Sequence, residues 1–257
     1  IKTRWAGVRF GPLGKGDFEN VLISNCTFEN CNGGGIKFDP LEGGEVRNCI
    51  FSDIVMDGVT APIVMVTARW PDIGSTVEDR PLMPPGKISN IQFNNMIIKS
   101  KGAGPKPDGG SVIYLHGYKG APIRNITFSN IDVVFPGGGT TEDAARRNLM
   151  DSCDMDWNKY GYWYTNKGAF GVPPAYGIYA RHVEGLSLNN VRFRLNKPDE
   201  RSALFLYQSS DISISELTTS SDPQAAPIVT AKDCVDVHLN RVRSHNRDNK
   251  KTILIEE

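Results

Sequence analysis

Cationic and histidine side chains recur at the ends of short apolar segments along this sequence. Arginine and lysine bind carboxylate groups through charge-assisted hydrogen bonds, so the series could form a basic stripe for an acidic polysaccharide. A row of ordinary solvated corners would give the same pattern, and the sequence leaves both interpretations open. The candidate substrate-binding residues are Arg9, Lys37, Arg69, His116, Arg181 and His182, with two tryptophans nearby, Trp5 and Trp70.

Carboxyl groups are the second kind of candidate, because hydrolysis of a glycosidic bond uses one as an acid and another as a base or nucleophile. A pair of aspartates on neighbouring repeats would be a strong signal, and the sequence does not show one. Asp39 is a weak catalytic candidate, and the catalytic residues are otherwise unassigned. The four histidines lack the short spacing of a metal site, so we expect neither a metal nor another cofactor.

The charge and hydrophobicity of the sequence exclude some classes of binding partner. The 257 residues contain 29 Lys and Arg against 29 Asp and Glu, which gives a net charge of zero. A protein that binds nucleic acid by neutralising phosphates normally carries a basic excess, so we do not expect nucleic acid as a partner. No apolar run approaches the roughly 20 residues that span a bilayer, so we expect no membrane partner. The oligomeric state is open.

The elements that must position these side chains belong to a repeat. In each unit a mostly polar residue is followed by alternating apolar residues, and a further polar or charged residue stands five positions later. Each unit has a second apolar segment, such as GIKF (35–38) or SALFLYQS (202–209), so it supplies two or three short strands. The units begin at NVLISNCTF (20–28), NCIFSDIVM (48–56), NIQFNNMII (90–98), NITFSNIDV (125–133), GLSLNNVRF (185–193), DISISELTT (211–219) and DVHLNRVRS (236–244).

Stacked units of this length predict an all-β, right-handed parallel β-helix of about eight coils, forming one domain over residues 1–257. Aligned asparagines at the corners could hydrogen-bond in ladders from coil to coil. A propeller would need a recurring Trp-Asp signature, and a β-sandwich would need a series of two-residue hairpin turns; neither is found. Two insertions interrupt the repeat, at 67–87 and 136–175.

The second insertion is rich in aromatic residues, which stack well on sugar rings. The same rings could equally pack the insertion onto the side of the solenoid. It also contains the one plausible helical turn, at 140–150. The aromatic residues are Trp157, Tyr160, Tyr162, Trp163, Tyr164 and Phe170.

Residues 7–70 resemble glycoside hydrolase family 28, which contains the polygalacturonases and rhamnogalacturonan hydrolases. GVRFGP (7–12) corresponds to the strand after the family's GHG motif, with Trp5 near the histidine position. GIKF (35–38) corresponds to its R-I-K motif, with Lys37 at the lysine and Gly35 at the arginine. GGEVRNCIFSDI (43–54) and PIVMVTARW (62–70) match the strands that follow, with Trp70 near an aromatic position.

The resemblance implies inverting hydrolysis of pectin, an acidic plant polysaccharide, by an exported protein that is secreted or periplasmic. The family's N-T-D and D-D motifs lie on coils before the GHG coil. We therefore expect them before Ile1, in a longer protein of which this chain is the C-terminal part and which it needs for activity. Lys37 alone carries over, as a ligand of a substrate carboxylate. A polysaccharide lyase and a non-catalytic carbohydrate-binding β-helix are the alternatives.

Overall fold

The computed structural model describes residues 1–71, 81–102, 112–147, 149, 151, 172–220, 226–245 and 252–256. The aromatic residues of the second insertion lie outside these ranges. In the described part of the chain the named strands pair in parallel and form two sheets, and the antiparallel pairings are confined to two isolated bridges. Along the chain the strands pass back and forth between the two sheets, apart from two places where consecutive strands share one sheet. This is the path of a parallel β-helix and confirms the predicted fold.

Sheet 1 contains eight short strands, one from each coil, in sequence order. Each strand of sheet 1 pairs in parallel with the strand from the next coil, along the whole sheet. The strands are β1 (Val8–Phe10), β4 (Ile36–Phe38), β6 (Ile63–Val66), β8 (Ile113–His116), β10 (Ala175–Arg181), β12 (Ser202–Tyr207), β14 (Val229–Lys232) and β17 (Ile253–Glu256).

Sheet 2 contains nine strands, several of which are long and bent. A four-residue helix, α1 (Thr141–Ala144), lies in the second insertion, as the sequence predicts, and Thr140 caps it. The strands are β2 (Phe18–Glu19), β3 (Leu22–Glu29), β5 (Glu45–Val59), β7 (Lys87–Ser100), β9 (Ile123–Phe135), β11 (Val183–Leu195), β13 (Ser210–Thr219), β15 (Val235–Asn240) and β16 (Arg243–Ser244).

The first residue of each repeat has a positive φ, and a second bend in sheet 2 occurs at the polar residues that stand five positions later. The seven residues at this second bend have φ between 53° and 59°, the left-handed region that Asn and Asp tolerate better than other side chains. Their side chains also form the expected ladder. The Asn95 amide donates to Asp53 at 3.1 Å, Asn130 to Asn95 at 3.1 Å, and Asn190 to Asn130 at 2.8 Å.

The core lies between the two sheets and runs from Phe10 to Ala231 as one cluster of buried residues. Phenylalanines stack from coil to coil within it: the ring centroids of Phe51 and Phe93 are 5.3 Å apart, and those of Phe93 and Phe128 are 4.9 Å apart. No single coil could bury such a ring on both faces, so the repeats stabilise one another.

Candidate functional site

The outer face of sheet 1, here called the sheet 1 face, carries a second set of buried side chains. Alternation along β4 places Ile36 and Phe38 in the core and Lys37 on the outer face. Most of this face is covered, since Val64, Tyr179 and the residues packed on them are buried in a separate apolar cluster. One row of residues in register across it is Arg9, Lys37, Val64, Tyr114, Tyr179, Phe205, Thr230 and Leu254.

Two predicted cations and the predicted carboxylate lie together at the β1–β4 end of this face. Arg9 and Lys37 are register partners on adjacent strands. Arg9 also forms a two-pronged ion pair with Asp39: its Nε donates to Oδ1 at 3.1 Å and its Nη2 to Oδ2 at 2.5 Å. Lys37 and Asp39 are 3% and 1% exposed, whereas the Arg9 side chain is 27% exposed. Arg9 is therefore held in place and still reaches solvent.

Gly35, at the family's arginine position, has no room for a side chain. A Cβ atom there would lie 2.4 Å from the carbonyl oxygen of Pro62 on the next coil. Nearby, Glu42 is buried and accepts a hydrogen bond from the backbone amide of Gly14 at 2.7 Å. Gly35 therefore contributes no cation, and the predicted cations at this end are Arg9 and Lys37.

The other candidates from this region have different environments. The Trp5 side chain is 61% exposed. The Arg69 guanidinium donates to the carbonyl oxygens of Met83 and Leu82, both at 3.1 Å, and so joins the two described ends of the first insertion. Trp70 is buried in the apolar cluster on the sheet 1 face.

The remaining three candidates converge on one carboxylate, Asp151. Arg181 lies at the end of β10, His182 follows it, and His116 ends the neighbouring strand β8. From Asp151 Oδ2, the Arg181 Nη2 is 2.6 Å away and the His182 Nε2 is 2.9 Å away, while the His116 Nε2 is 3.8 Å from Oδ1. Asp151 belongs to the second insertion, so this cluster attaches the insertion to the sheet 1 face.

Further contacts complete this attachment. Arg181 Nη1 donates to the carbonyl oxygen of Leu149 at 3.2 Å, and its guanidinium lies 4.7 Å from the ring centroid of Tyr207. Arg147 makes a second ion pair, with Glu256 on β17 at 2.8 Å, and this pairing lowers the pKa of the Glu256 carboxyl. The insertion is thus tied to sheet 1 at two places.

Burial controls the protonation of the Asp151 cluster. His116 is fully buried, and the loss of hydration lowers the pKa of its ring to about 4, against the opposing effect of Asp151. The Tyr114 hydroxyl lies 3.0 Å from His116 Nδ1, and burial also raises the pKa of this tyrosine well above its ordinary value. The neutral ring of His116 thus packs beside the Arg181 cation.

These values predict a pH-dependent stability. Between about pH 6.5 and about pH 4 the unfolded chain binds a proton at His116 that the folded chain does not, so stability falls as the pH falls through this range. The shift corresponds to about 3 kcal/mol. We expect His116→Gln to flatten the dependence of the unfolding free energy on pH in this range. Equal slopes in the wild type and in His116→Gln would contradict this assignment.

Sequence reasoning did not identify Asp151. The residue lies in an insertion that has no counterpart in the other repeats, so neither periodicity nor spacing could link it to His116, Arg181 and His182. The recurring cations and histidines at strand ends indicate His116, Arg181 and His182. They do not indicate Asp151, the carboxylate that these three side chains contact.

The fold and this face together define the class of protein. A parallel β-helix that places charged side chains in register on neighbouring coils, as at the β1–β4 end of sheet 1, can bind an extended polymer across those coils. The sequence model of glycosyl hydrolases family 28 matches residues 6–153, more than half of the chain, and the chain belongs to this family of polysaccharide-cleaving enzymes. No curated protein and no solved structure gives a significant match. The described residues contain no helix with the length and apolar character needed to cross a bilayer.

Proposed function

We propose that this protein hydrolyses glycosidic bonds in a pectin-type polysaccharide, with a polygalacturonate as the first candidate substrate. The observation that carries this proposal is the pair of cations, Arg9 and Lys37, side by side in register on the outer face of sheet 1. Membership of glycosyl hydrolases family 28 supplies the reaction class. The two cations supply the preference for an acidic sugar, since every ring of a polyuronate carries one carboxylate.

Lys37 is suited to bind such a carboxylate. Because its side chain is almost withdrawn from bulk water, attraction to a carboxylate that reaches the ammonium group is screened less than at an open surface. Arg9 is oriented by its bond to Asp39 and presents the rest of its guanidinium at the partly exposed edge. The exposed indole of Trp5 can stack against a sugar ring near the same end of the sheet.

In this proposal Asp39 is a positioning residue. Both of its oxygens accept hydrogen bonds from Arg9, which leaves it poorly placed to deliver a proton to a leaving group. We assign the acid and base carboxyl groups to no described residue. We further propose that the protein works outside the cell, where pectic polymers occur.

A reducing-end assay of the full-length protein on polygalacturonate, rhamnogalacturonan and neutral galactan tests the function. We expect release of reducing ends from an acidic polymer and none from galactan. Ultraviolet-absorbing, unsaturated products would indicate elimination by a lyase instead. Binding without any release would indicate a non-catalytic carbohydrate-binding protein, and either result would overturn the proposal.

A further inference from the structure

A groove on sheet 2 is separate from the face that carries Lys37. It has a volume of about 870 Å³ and lies beside the ends of β9, β11, β13 and β16. A second depression of about 410 Å³ adjoins it, because Asp132 and Arg192 line both. We call the two together the sheet 2 groove, and its lining includes Asp132, Arg192, Arg194, Thr218 and Arg243.

The groove runs across the strands, parallel to the direction in which the coils stack. Arg192 on β11 is in register with Thr218 on β13, which is in register with Arg243 on β16. Neighbouring strands are about 4.8 Å apart, so the backbones of the two arginine positions are about 10 Å apart along this direction. Asp132 occupies the same row on the other side of Arg192.

The groove carries more positive than negative charge. Asp132 binds both Arg192 and Arg194, at 3.5 and 2.7 Å, and Glu216 binds Arg241 at 2.6 Å and lies 3.9 Å from Arg243. Two carboxylates are thus shared by four guanidinium groups. The side chains of Arg192, Arg194 and Arg243 are 54%, 49% and 67% exposed, so each can turn towards a ligand.

The adjoining part of the groove offers contacts of a different kind. The amides of Asn95, Asn130 and Asn190 follow one another from coil to coil at its edge, and sugar hydroxyls can bond to such amides. Beside them the Ile97 side chain is 62% exposed and provides an apolar patch for the carbon-bound hydrogens of a sugar ring. Cations, amides and an aliphatic patch in one line match an acidic polysaccharide.

We propose that the sheet 2 groove is a second, non-catalytic binding site for an acidic polysaccharide. It would hold a polymer on the side of the solenoid formed by sheet 2, while the sheet 1 face binds the segment to be cleaved. The site goes beyond the proposed function, since it requires no reaction at sheet 2.

Retardation of the protein in native gels that contain polygalacturonate tests the site. We expect Arg192→Gln with Arg243→Gln to weaken retardation by about three- to tenfold, the size expected for two exposed ion pairs. Wild-type retardation should decrease at high salt, because exposed charges are screened. The matched control is Arg47→Gln with Arg124→Gln, which removes two exposed ion pairs of sheet 2 outside the groove.

Equal loss in the control would show a general charge effect and overturn the proposal, as would unchanged retardation in the groove variant. Retardation of the wild type by polyglutamate as strong as by polygalacturonate would also overturn it. Lys37→Met separates the two sites. If Lys37→Met abolishes retardation and the groove variant does not alter it, the groove proposal fails while the proposed function stands.

Discussion

Replacement of Asp151 by alanine is expected to lower the free energy of unfolding by about 3 to 5 kcal/mol. The reason is that Arg181, whose side chain is 9% exposed, would remain buried without the carboxylate that neutralises it. His182 would lose its partner on the same oxygen. For a chain of this length the change corresponds to a fall in Tm of about 10 °C. Chemical denaturation, monitored by tryptophan fluorescence and by circular dichroism, measures the change in the free energy of unfolding.

A surface ion pair serves as the control for this prediction. Glu184→Ala removes an exposed pair with Arg124 and should cost less than about 1 kcal/mol. Combining Asp151→Leu with Arg181→Met should recover part of the lost stability, because neither charge then remains buried alone. A loss below 1 kcal/mol for Asp151→Ala would show that the cluster does not hold the insertion on sheet 1.

Replacement of Lys37 by methionine is expected to weaken binding of an oligogalacturonate by about 10- to 100-fold, the value of a hydrogen bond to a charged group. Methionine keeps most of the length of the buried side chain and removes the ammonium group. Circular dichroism of the variant checks that the fold is preserved. Isothermal titration calorimetry measures the dissociation constant. Lys99→Met, at an exposed position on sheet 2, is the control and should bind like the wild type.

The fold could be predicted from the sequence because each coil repeats the same pattern of polar corner residues and alternating apolar residues. The polar residue five positions into each unit marks a corner, and in the structure Asn25, Asp53 and Asn95 adopt the left-handed backbone conformation there. The apolar alternation then fixes which side chains form the stacked core. The strands of sheet 2 continue through these bends, as in β5, where the sequence suggested separate short strands.

The site could be predicted only in part, because its side chains are brought together by the insertions as well as by the repeat. The recurring cations place Arg9 and Lys37 on neighbouring coils, since register follows from the repeat, although each is the central residue of its strand rather than the last. Arg69 lies three residues beyond the end of β6, and its guanidinium binds the backbone of its own insertion. Asp151 could not be assigned a partner from the sequence, because the path of an insertion is set by tertiary contacts that no periodicity encodes.

The central claim is that Lys37 and its neighbour Arg9 on the outer face of sheet 1 recognise the carboxylate of an acidic sugar. The most direct measurement compares the dissociation constants of the wild type and Lys37→Met for an oligogalacturonate and for the same oligomer with its carboxyl groups reduced to alcohols. We expect the wild type to prefer the acidic oligomer by at least about 10-fold, and Lys37→Met to lose most of that preference. Equal affinity of the wild type for both oligomers, or an unchanged preference in Lys37→Met, would contradict the claim.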